Sequence, residues 1–410
     1  MRLTRMHKSL LWLQALPRFG VLKYNLYRVW ALLKKFVPRY KEFDIYFIAG
    51  SKGKGTVAAF LASILTEGGI PCGRLTSPHL HSITERVNFQ GRDIGEELGE
   101  YVAMVRRGLP QLPRKYGPWI FGEVLLTAAL MWFWDQGAHV AVLEAGLGGR
   151  LDAGNFFRRP LATCITAVTL EHQGILGPTL GDIAREKAGI IKPKTPVITG
   201  AQGEPLEILA ARAQRFGAPL YSFPADFAWR DSVLQLPTMT LPLRAEFTSP
   251  AEKTNAALAA CMAAFHPGIT GDAVIRGIEN ALPLPGRFEV VLGKPIYVLD
   301  VAHTPESIAN LLAAVEGQFP HSRLAMVAGF LADKNVAAML AQMLASTDRV
   351  YLAPVKEGRS FNPYDFPQGI KANSIAAAIA AATPHADVIC ITGSFAAVRE
   401  AGAYLAATKS

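Results

Sequence analysis

The sequence predicts an α/β protein with two domains: a large P-loop-type domain built on a mainly parallel sheet, and a smaller Rossmann-like α/β domain at the C-terminus. Three observations lead to this prediction. An apolar run, a glycine-rich loop and an amphipathic helix follow one another over residues 43–69. Strand-like and helix-like segments then alternate, which is typical of a parallel sheet covered on both faces. A stretch rich in Pro and Gly at residues 282–287 precedes a second, shorter alternating array.

The first element has the pattern of a phosphate-binding unit. Phe43–Ala49 has the length and apolar character of a buried strand, and apolar residues then recur at helical spacing until Gly68. Backbone N–H groups of such a loop, together with the N-terminus of the following helix, bind phosphate. Lys54 can add a positive charge, and Thr56 can offer a hydroxyl to Mg²⁺. The loop consists of Gly50, Ser51, Lys52, Gly53, Lys54, Gly55 and Thr56.

The spacing of this loop leaves an alternative open. It reads GxxGKGT, which is shorter than the GxxxxGK[ST] of common P-loop proteins. A plain glycine turn between a strand and a helix, with Lys52 and Lys54 in solvent, is therefore the competing interpretation.

Two further apolar runs end in residues that can carry chemistry. His139–Glu144 is followed by a glycine-rich loop, and Leu161–Leu170 leads directly to Glu171 and His172. Ligands of open parallel sheets bind beyond the carboxyl ends of the strands, so we expect these residues to lie near the phosphate loop. A buried carboxylate such as Glu144 is costly unless it is paired or bound to a metal.

The remaining chain supplies helices and a second array. Residues 9–36 predict one or two helices, broken around Pro17 and Gly20. Residues 220–250 predict short antiparallel strands, and a helix is expected from about Asn255. The predicted strands after the Pro/Gly stretch are Ile296–Val301, Leu324–Gly329, Val350–Ala353 and Val388–Thr392, with helices between them.

Composition and charge limit the function classes. The chain has 410 residues and a net charge of +9, which favours anionic partners. It contains no long Lys/Arg run and no basic motif interleaved with aromatic residues, so small anionic substrates are expected rather than nucleic acid. No apolar stretch is long enough for a membrane span, and the four scattered cysteines form no CxxC pair. We expect a cytoplasmic protein that does not bind membranes.

Several motifs, in order along the chain, resemble those of the folylpolyglutamate synthase/dihydrofolate synthase branch of the Mur ligases. The resemblance extends from about residue 10 to residue 406. The phosphate loop AGSKGKGT resembles the family AGTNGKGS. The other matching segments are TSPH at 76–79, ERV at 85–87, LEAGLGGRLDA at 143–153, EH at 171–172, IAREKAGIIK at 183–192, NAAL at 255–258, PGRFE at 285–289 and LDVAHTP at 299–305.

This resemblance implies an ATP-dependent ligase that adds L-glutamate to a folate or dihydropteroate carboxylate through an acyl phosphate. Residues 1–285, with their N-terminal helices, resemble the ATP-binding central-type domain of Mur ligases. Residues 286–410 resemble the C-terminal Mur ligase/glutamate ligase domain. ATP, Mg²⁺ at two sites and a monomeric state are implied as well. The basic charge balance suits ATP and folates, which are anionic.

The resemblance also implies roles for individual residues. The catalytic set is Lys54, Glu144, His172 and Lys187; nucleotide contacts come from the phosphate loop, Asn255, Arg287 and Asp300; substrate contacts come from Arg86 and His303. Ser77 and Glu144 would hold the first Mg²⁺, and His172 with a carbamylated Lys187 the second. From the residues alone, other readings stay open: Lys187 on a solvated helix face, Asn255 as a helix N-cap, and Arg86 paired with a structural acid.

The chain departs from the family pattern at a few positions. Ser51-Lys52 replaces Thr-Asn, Gly154 interrupts the LDATN segment, Glu171 stands where Asp is usual, and Thr304 replaces Asn. Two alternative functions are therefore kept. One is a Mur-type amide ligase for a non-folate carboxylate, and the other is a nucleotide-binding regulatory protein without catalysis.

Overall fold

A computed structural model of the protein describes residues 5–18, 26–113, 115 and 118–409. Gly20, where a helix break is predicted, lies outside the described residues. The chain forms two compact units, and one of the boundaries between them falls within a helix. The first unit comprises Met1–Ala245 and Thr254–Leu282, and the second comprises Glu246–Lys253 and Pro283–Ser410.

The first unit alternates helices and strands over most of its length. Its helices are α1 (Arg5–Gln14), α2 (Tyr27–Phe36), α3 (Lys54–Glu67), α4 (Glu97–Gly108), α5 (Phe121–Asp135), α6 (Gln173–Leu176), α7 (Leu180–Ala188), α8 (Glu204–Phe216), α9 (Pro250–Ala263, which begins in the second unit) and α10 (Gly271–Glu279). Its strands are β1 (Asp44–Ala49), β2 (Cys72–Leu75), β3 (Val87–Phe89), β4 (Arg92–Asp93), β5 (Val140–Glu144), β6 (Ala162–Ile165), β7 (Val197–Thr199), β8 (Leu220–Ser222), β9 (Ala228–Arg230), β10 (Val233–Gln235) and β11 (Thr240–Pro242).

Within the described residues, the larger sheet has eight strands in the order β4-β3-β2-β5-β1-β6-β7-β8. The six strands from β2 to β8 in this order are parallel, and the antiparallel pairings are those of β3 with β2 and with β4 at one edge. The predicted fold class is confirmed for this unit. The strand order also places the carboxyl ends of β2, β5, β1 and β6 side by side, which is where ligands of such sheets bind.

Burial explains why these strands have nearly continuous apolar sequences. Five of the six residues of β1 are buried, as are all five of β5, because strands and helices cover them on every side. Phe47 on β1, Leu143 on β5 and Phe133 on α5 belong to one core. Each such side chain contributes about 1.5–3 kcal/mol to folding when it is fully removed from water.

Residues 220–250 differ in part from the prediction. Strands β9, β10 and β11 form a separate antiparallel sheet, as expected, but β8 joins the larger sheet in parallel beside β7. Helix α9 begins at Pro250 and not near Asn255. Its start is fixed by Ser249, whose hydroxyl accepts a hydrogen bond from the N–H of Glu252, and by proline in the first turn.

The second unit is a smaller α/β domain. Its elements are β12 (Glu289–Val291), β13 (Ile296–Leu299), α11 (Pro305–Gln318), β14 (Leu324–Ala328), α12 (Val336–Ser346), β15 (Val350–Leu352), β16 (Ile370–Lys371), α13 (Ile375–Ala382), β17 (Val388–Thr392) and α14 (Phe395–Lys409). In the described part of the chain its sheet has the order β12-β13-β17-β14-β15-β16, parallel except for β12. The predicted second α/β domain is confirmed.

Two sequence expectations about the chain as a whole can be compared with the structure. No described helix is both long enough and apolar enough to cross a lipid bilayer. All four cysteines are buried with free thiols, in agreement with the predicted lack of a disulfide framework.

Candidate active site

The phosphate loop follows the carboxyl end of β1 and is fixed by the segment that follows β6. Ser51 donates its N–H to the Ala167 carbonyl at 2.7 Å, and the Thr166 hydroxyl donates to the Lys52 carbonyl at 2.6 Å. Gly50 has a φ of +143°, and a Cβ at this position would collide with the Thr166 hydroxyl. Only glycine therefore fits at Gly50, and the loop is held rigidly against its neighbour.

Helix α3 begins directly at this loop. Gly53 precedes the helix with a φ of +84°, and Lys54, Gly55 and Thr56 form the first turn. The first N–H groups of a helix have no partner inside the helix, so they are available to an anion. The Lys54 ammonium donates to the carbonyls of Gly50 at 2.9 Å and Ser51 at 3.4 Å, which places its charge above the loop. This geometry is that of a phosphate-binding loop.

Asn255 lies against the phosphate loop from a distant part of the sequence. It is in the interior of α9, so the alternative that it caps a helix is wrong. A Cβ at Gly53 would collide with the Asn255 amide. Asn255 and the phosphate loop are therefore in direct contact.

Ser77 and Glu144 meet at the carboxyl ends of β2 and β5. The Ser77 N–H donates to Glu144 Oε2 at 2.9 Å, and Glu144 is only 7% exposed. The Ser77 hydroxyl and the Glu144 carboxylate are hard oxygen donors of the kind that Mg²⁺ prefers. Within the described residues, no group of three or more His, Cys, Asp and Glu side chains could hold a metal alone. The donor set fits Mg²⁺, which usually keeps water and substrate phosphates in addition to one or two protein ligands.

Asp152 was not singled out from the sequence, yet it organises the loop after Glu144. Its two carboxylate oxygens accept from the Gly146 N–H at 2.8 Å and the Gly154 N–H at 2.9 Å. Burial raises the pKa of Asp152 above its ordinary value, against the opposing effects of these N–H groups and the charge of Lys54. An aspartate shortly after a run of glycines is the signal of such a turn, and it could have been used.

Lys187 is buried and paired, so the alternative of a solvated helix face is wrong. Its ammonium donates to Glu171 Oε1 at 2.7 Å, and its side chain is 1% exposed. Burial lowers the pKa of Lys187 to about 8, and the charges of Lys54 and Lys52 act in the same direction. The charges of both loop lysines therefore act on Lys187.

Glu171 lies after β6, where the sequence places it near the phosphate loop, although no catalytic or ligand role is predicted for it. Burial alone would raise the pKa of its carboxyl, but the charges of Lys187, Lys54 and His172 bring it below its ordinary value. His172 is exposed and adopts a φ of +46° just before α6. Glu171 is thus the acidic group around which Lys54, His172 and Lys187 are arranged.

Arg86 is buried beside an aromatic ring and a second arginine. Its guanidinium lies 5.1 Å from the centre of the Phe121 ring, and the guanidinium of Arg18 lies 5.0 Å from the same ring. Arg86 donates to Nδ1 of His79 at 2.8 Å. Burial lowers the pKa of Arg86 to about 10, and the charge of Arg18 adds to this effect.

The alternative that Arg86 pairs with a structural acid is not what the structure shows. No Asp or Glu of the described chain lies within ion-pair distance of Arg86. Two guanidinium groups on one ring can bind a carboxylate. Arg18 could not be linked to Arg86 from the sequence, because only the packing of the N-terminal segment on Phe121 brings them together.

The second unit brings its own predicted residues together at the carboxyl end of β13. Asp300 accepts from the N–H groups of Phe288 and Ala302, both at 2.8 Å. Burial raises the pKa of Asp300 above its ordinary value, and the nearby charge of Arg287 opposes this. The imidazole Nδ1 of His303 lies 2.8 Å from the Val301 carbonyl.

Thr304, which replaces an asparagine of the family pattern, has a structural explanation. Its hydroxyl is the N-cap of α11 and accepts from the N–H of Ser307. The Thr304 and Ser307 hydroxyls also lie 2.9 Å apart. Threonine therefore serves as a helix cap at this position.

Comparisons with known proteins were made for the sequence and the structure. The family model described as "Mur ligase, glutamate ligase domain" matches residues 286–409. The dihydrofolate synthase/folylpolyglutamate synthase of Escherichia coli is 33% identical over 373 residues, which cover 86% of this chain and 84% of that protein. A probable bifunctional folylpolyglutamate synthase/dihydropteroate synthase of Haloferax volcanii is 33% identical over 350 residues; the match covers 82% of this chain but only 41% of that longer protein.

Solved structures match nearly the whole chain. E. coli FolC in complex with DHPP and ADP superimposes with a TM-score of 0.86 at 30% identity, covering 99% of this chain and 98% of that one. A bifunctional folylpolyglutamate synthase/dihydrofolate synthase with Mn, AMPPNP and L-glutamate bound has a TM-score of 0.85 at 29% identity, covering 98% of both chains.

Proposed function

Because the chain belongs to the folylpolyglutamate synthase/dihydrofolate synthase family, we propose that it is an ATP-dependent ligase that joins L-glutamate to the carboxylate of a folate or dihydropteroate through an acyl phosphate. The observation that carries this proposal is the meeting of three groups at one edge of the larger sheet. These are the phosphate loop, the Ser77–Glu144 pair, and the Glu171–Lys187 pair.

The reaction requires a carboxylate to be made electrophilic. The oxygen of the substrate carboxylate attacks the γ-phosphorus of ATP, ADP leaves, and the amine of glutamate then attacks the acyl phosphate and releases phosphate. Such phosphoryl transfer depends on positioning and on stabilising negative charge. The first-turn N–H groups of α3 and the ammonium of Lys54 would hold the phosphates, because they converge above the loop.

Ser77 and Glu144 would hold a divalent metal together with the nucleotide. When bound, Mg²⁺ supplies charge neutralisation for the phosphates of ATP. The protein contributes a pre-arranged pair of oxygen ligands, since the Ser77 N–H fixes one Glu144 oxygen at 2.9 Å. ATP and a divalent metal are common to this family, as the complexes of its relatives with ADP, AMPPNP and Mn illustrate.

A second metal site is proposed at Glu171, His172 and Lys187. The neutral amine of a lysine adds CO₂ and loses a proton, and a pKa of about 8 makes that form accessible near neutral pH. Carbamylation would replace the Lys187 cation by an anion beside Glu171, and two buried anions require a cation between them. The donor set would then fit Mg²⁺, with His172 as its least favoured ligand type.

Substrate carboxylates would be bound by basic side chains in each unit. In the first unit, Arg86 and Arg18 present two guanidinium groups on the Phe121 ring, with no carboxylate of the described residues at ion-pair distance. In the second unit, Arg287 and Asp300 are proposed to contact the nucleotide, and His303 the glutamate.

We further propose that the protein acts as a monomer on small molecules in the cytoplasm, with residues 1–285 as the ATP-binding domain and residues 286–410 as the glutamate ligase domain.

The decisive experiment is an ADP-release assay with the purified full chain. ADP should appear only when ATP, Mg²⁺, L-glutamate and either dihydropteroate or a tetrahydrofolate are all present, and mass spectrometry should show one added glutamate per turnover. Omission of each component in turn is the control. If neither folate nor pteroate supports ADP release, the substrate assignment fails; release with another carboxylate identifies a different amide ligase, and ATP binding without turnover identifies a regulatory protein.

The role of Lys52 can be tested separately. Replacing Lys52 by Asn, the residue of the family pattern, should raise the KM for ATP about 10-fold, since a charge-assisted hydrogen bond to phosphate is worth about 1.5 kcal/mol. The reason is that Lys52 belongs to the phosphate loop and its charge acts on the buried Lys187. Lys41→Asn, at an exposed position, is the matched control. An unchanged KM in Lys52→Asn would mean that this lysine merely points to water.

A further inference from the structure

A group of basic side chains lies in the first unit outside the candidate active site. This basic cluster consists of Arg158, Lys192, Arg212 and Arg215. Its connections lie side by side, because the Lys194 N–H donates to the Phe216 carbonyl at the end of α8, at 3.2 Å, and Lys192 donates to the Asn155 carbonyl close to Arg158. Arg158 precedes β6, Lys192 lies between α7 and β7, and the two other arginines are in the last part of α8, which leads into β8. These connections enter the amino ends of strands, whereas the phosphate loop follows the carboxyl end of β1.

The charges of the basic cluster are not neutralised by the protein. No Asp or Glu side chain among the residues that the structure describes lies within ion-pair distance of any of its four members. Glu186, close by, is bound by Arg150 at 2.7 Å. The cluster therefore carries a concentrated positive charge.

Two of the four side chains are held in defined positions. Lys192 donates to the backbone carbonyl of Asn155 at 3.2 Å, and Asn155 is anchored because its amide donates to the Arg150 carbonyl at 2.8 Å. The Arg212 guanidinium lies 4.9 Å from the centre of the Phe216 ring. The Nε of Arg212 is buried but has no hydrogen-bond acceptor among the residues that the structure describes. Buried donors without acceptors are unfavourable and uncommon in folded proteins.

The positive charges of the cluster affect the pKa of Lys192. Burial lowers its pKa to about 8, and the charges of Arg212 and Arg158 act in the same direction. Burial also lowers the pKa of Arg212, aided by the charges of Arg215 and Arg150. Like charges that lower each other's pKa destabilise the folded state, and a bound anion would remove this repulsion.

We propose that Arg158, Lys192, Arg212 and Arg215 form a second anion-binding site, separate from the phosphate loop, for a multivalent oxyanion. Guanidinium groups bind oxyanions through paired N–H donors, and an ammonium adds a compact charge. Among the described residues, Lys192 donates a hydrogen bond to the Asn155 carbonyl alone, and Arg212 stacks on Phe216 with its Nε unused. The oxyanion can be a phosphate or a chain of carboxylates, because both offer closely spaced anionic oxygens.

The test is binding of two probes, inorganic triphosphate and tri-γ-glutamate, measured by titration calorimetry. The comparison is between the parent protein, Lys192→Gln/Arg212→Gln, and the matched double variant Lys294→Gln/Lys356→Gln, which removes two exposed charges from the second unit. All three proteins keep the phosphate loop, so any difference reports on the basic cluster. Affinity for at least one probe should fall 10-fold or more in Lys192→Gln/Arg212→Gln only, and the probe affected identifies the source of the anion.

Unfolding experiments separate binding from a structural role. Without an anion, Lys192→Gln should unfold at the same temperature as the parent or higher, because repulsion is removed. A bound probe should raise the unfolding temperature of this variant less than it raises that of the parent. The proposal is overturned if Lys192→Gln/Arg212→Gln binds both probes as the parent does, or if Lys192→Gln lowers the unfolding temperature in anion-free buffer.

Discussion

Replacing Lys187 by Met should lower the free energy of unfolding by about 3–5 kcal/mol and abolish ligase activity. The Lys187 side chain is 1% exposed and its ammonium lies 2.7 Å from Glu171 Oε1, so its removal leaves the Glu171 carboxylate buried without its partner. Unfolding by urea, followed by circular dichroism, measures the stability. ADP release measures the activity.

A double variant separates the structural contribution from the catalytic one. Glu171→Gln/Lys187→Met removes both charges, and most of the lost stability should return while activity remains absent. Recovery of activity in this double variant would contradict a catalytic role for the pair. A single Lys187→Met variant as stable as the parent would contradict the buried ion pair itself.

The same lysine predicts a dependence of stability on pH. Its pKa is about 8 in the folded protein and near 10.5 in the unfolded chain, so between these values the unfolded state binds more protons. Stability should therefore rise with pH across this window, and the Lys187 contribution should be constant below it. Lys187→Met should lack this rise, which a urea titration at pH 7.5, 9 and 10 can show.

Replacing Glu144 by Gln should lower kcat about 10²–10³-fold, the usual effect of removing one group that stabilises transition-state charge. Glutamine keeps the shape of the side chain and can still accept from the Ser77 N–H, so the fold should be retained. The Mg²⁺ concentration needed for half-maximal activity should rise as well, because a charged oxygen ligand is lost. Steady-state kinetics over a range of Mg²⁺ concentrations measures both effects.

Glu279→Gln is the control for this prediction, since Glu279 is exposed at the end of α10 and belongs to no candidate site. It should leave kcat and the Mg²⁺ requirement unchanged. Full activity of Glu144→Gln at ordinary Mg²⁺ concentration would remove Glu144 from the proposed metal site.

The fold could be predicted from the sequence because its signals are local. Strands β1 and β5 are apolar runs followed by glycines, a local pattern that predicts where a strand ends. The parallel arrangement of the strands follows from their alternation with helices. Motif order then identified the family. Helix α9 begins earlier than predicted, because Ser249 and Glu252 form a capping signal upstream of Asn255.

Without the family resemblance, the sequence predicts proximity only for candidate residues that follow strands, whereas Asn255, Arg86 and Lys187 are predicted through the resemblance alone. Lys54, Ser77 and Glu144 come directly after, or at the end of, neighbouring strands, so their proximity follows from sheet topology. Asn255 and Arg18 reach their neighbours through packing of segments far apart in the sequence, which no local pattern reports. Likewise, the charge state and burial of Lys187 depend on the fold as a whole, and its sequence surroundings indicate an ordinary surface helix.

The contact between Gly53 and Asn255 has a consequence for how related sequences can diverge. Gly53 adopts a φ of +84° and leaves no space for a Cβ on the side of Asn255. A larger residue could enter position 53 only after position 255 had become smaller and the backbone had relaxed. The two positions are therefore expected to evolve as a pair, and a homologue that changes only one of them should have lost the nucleotide-binding shape of the loop.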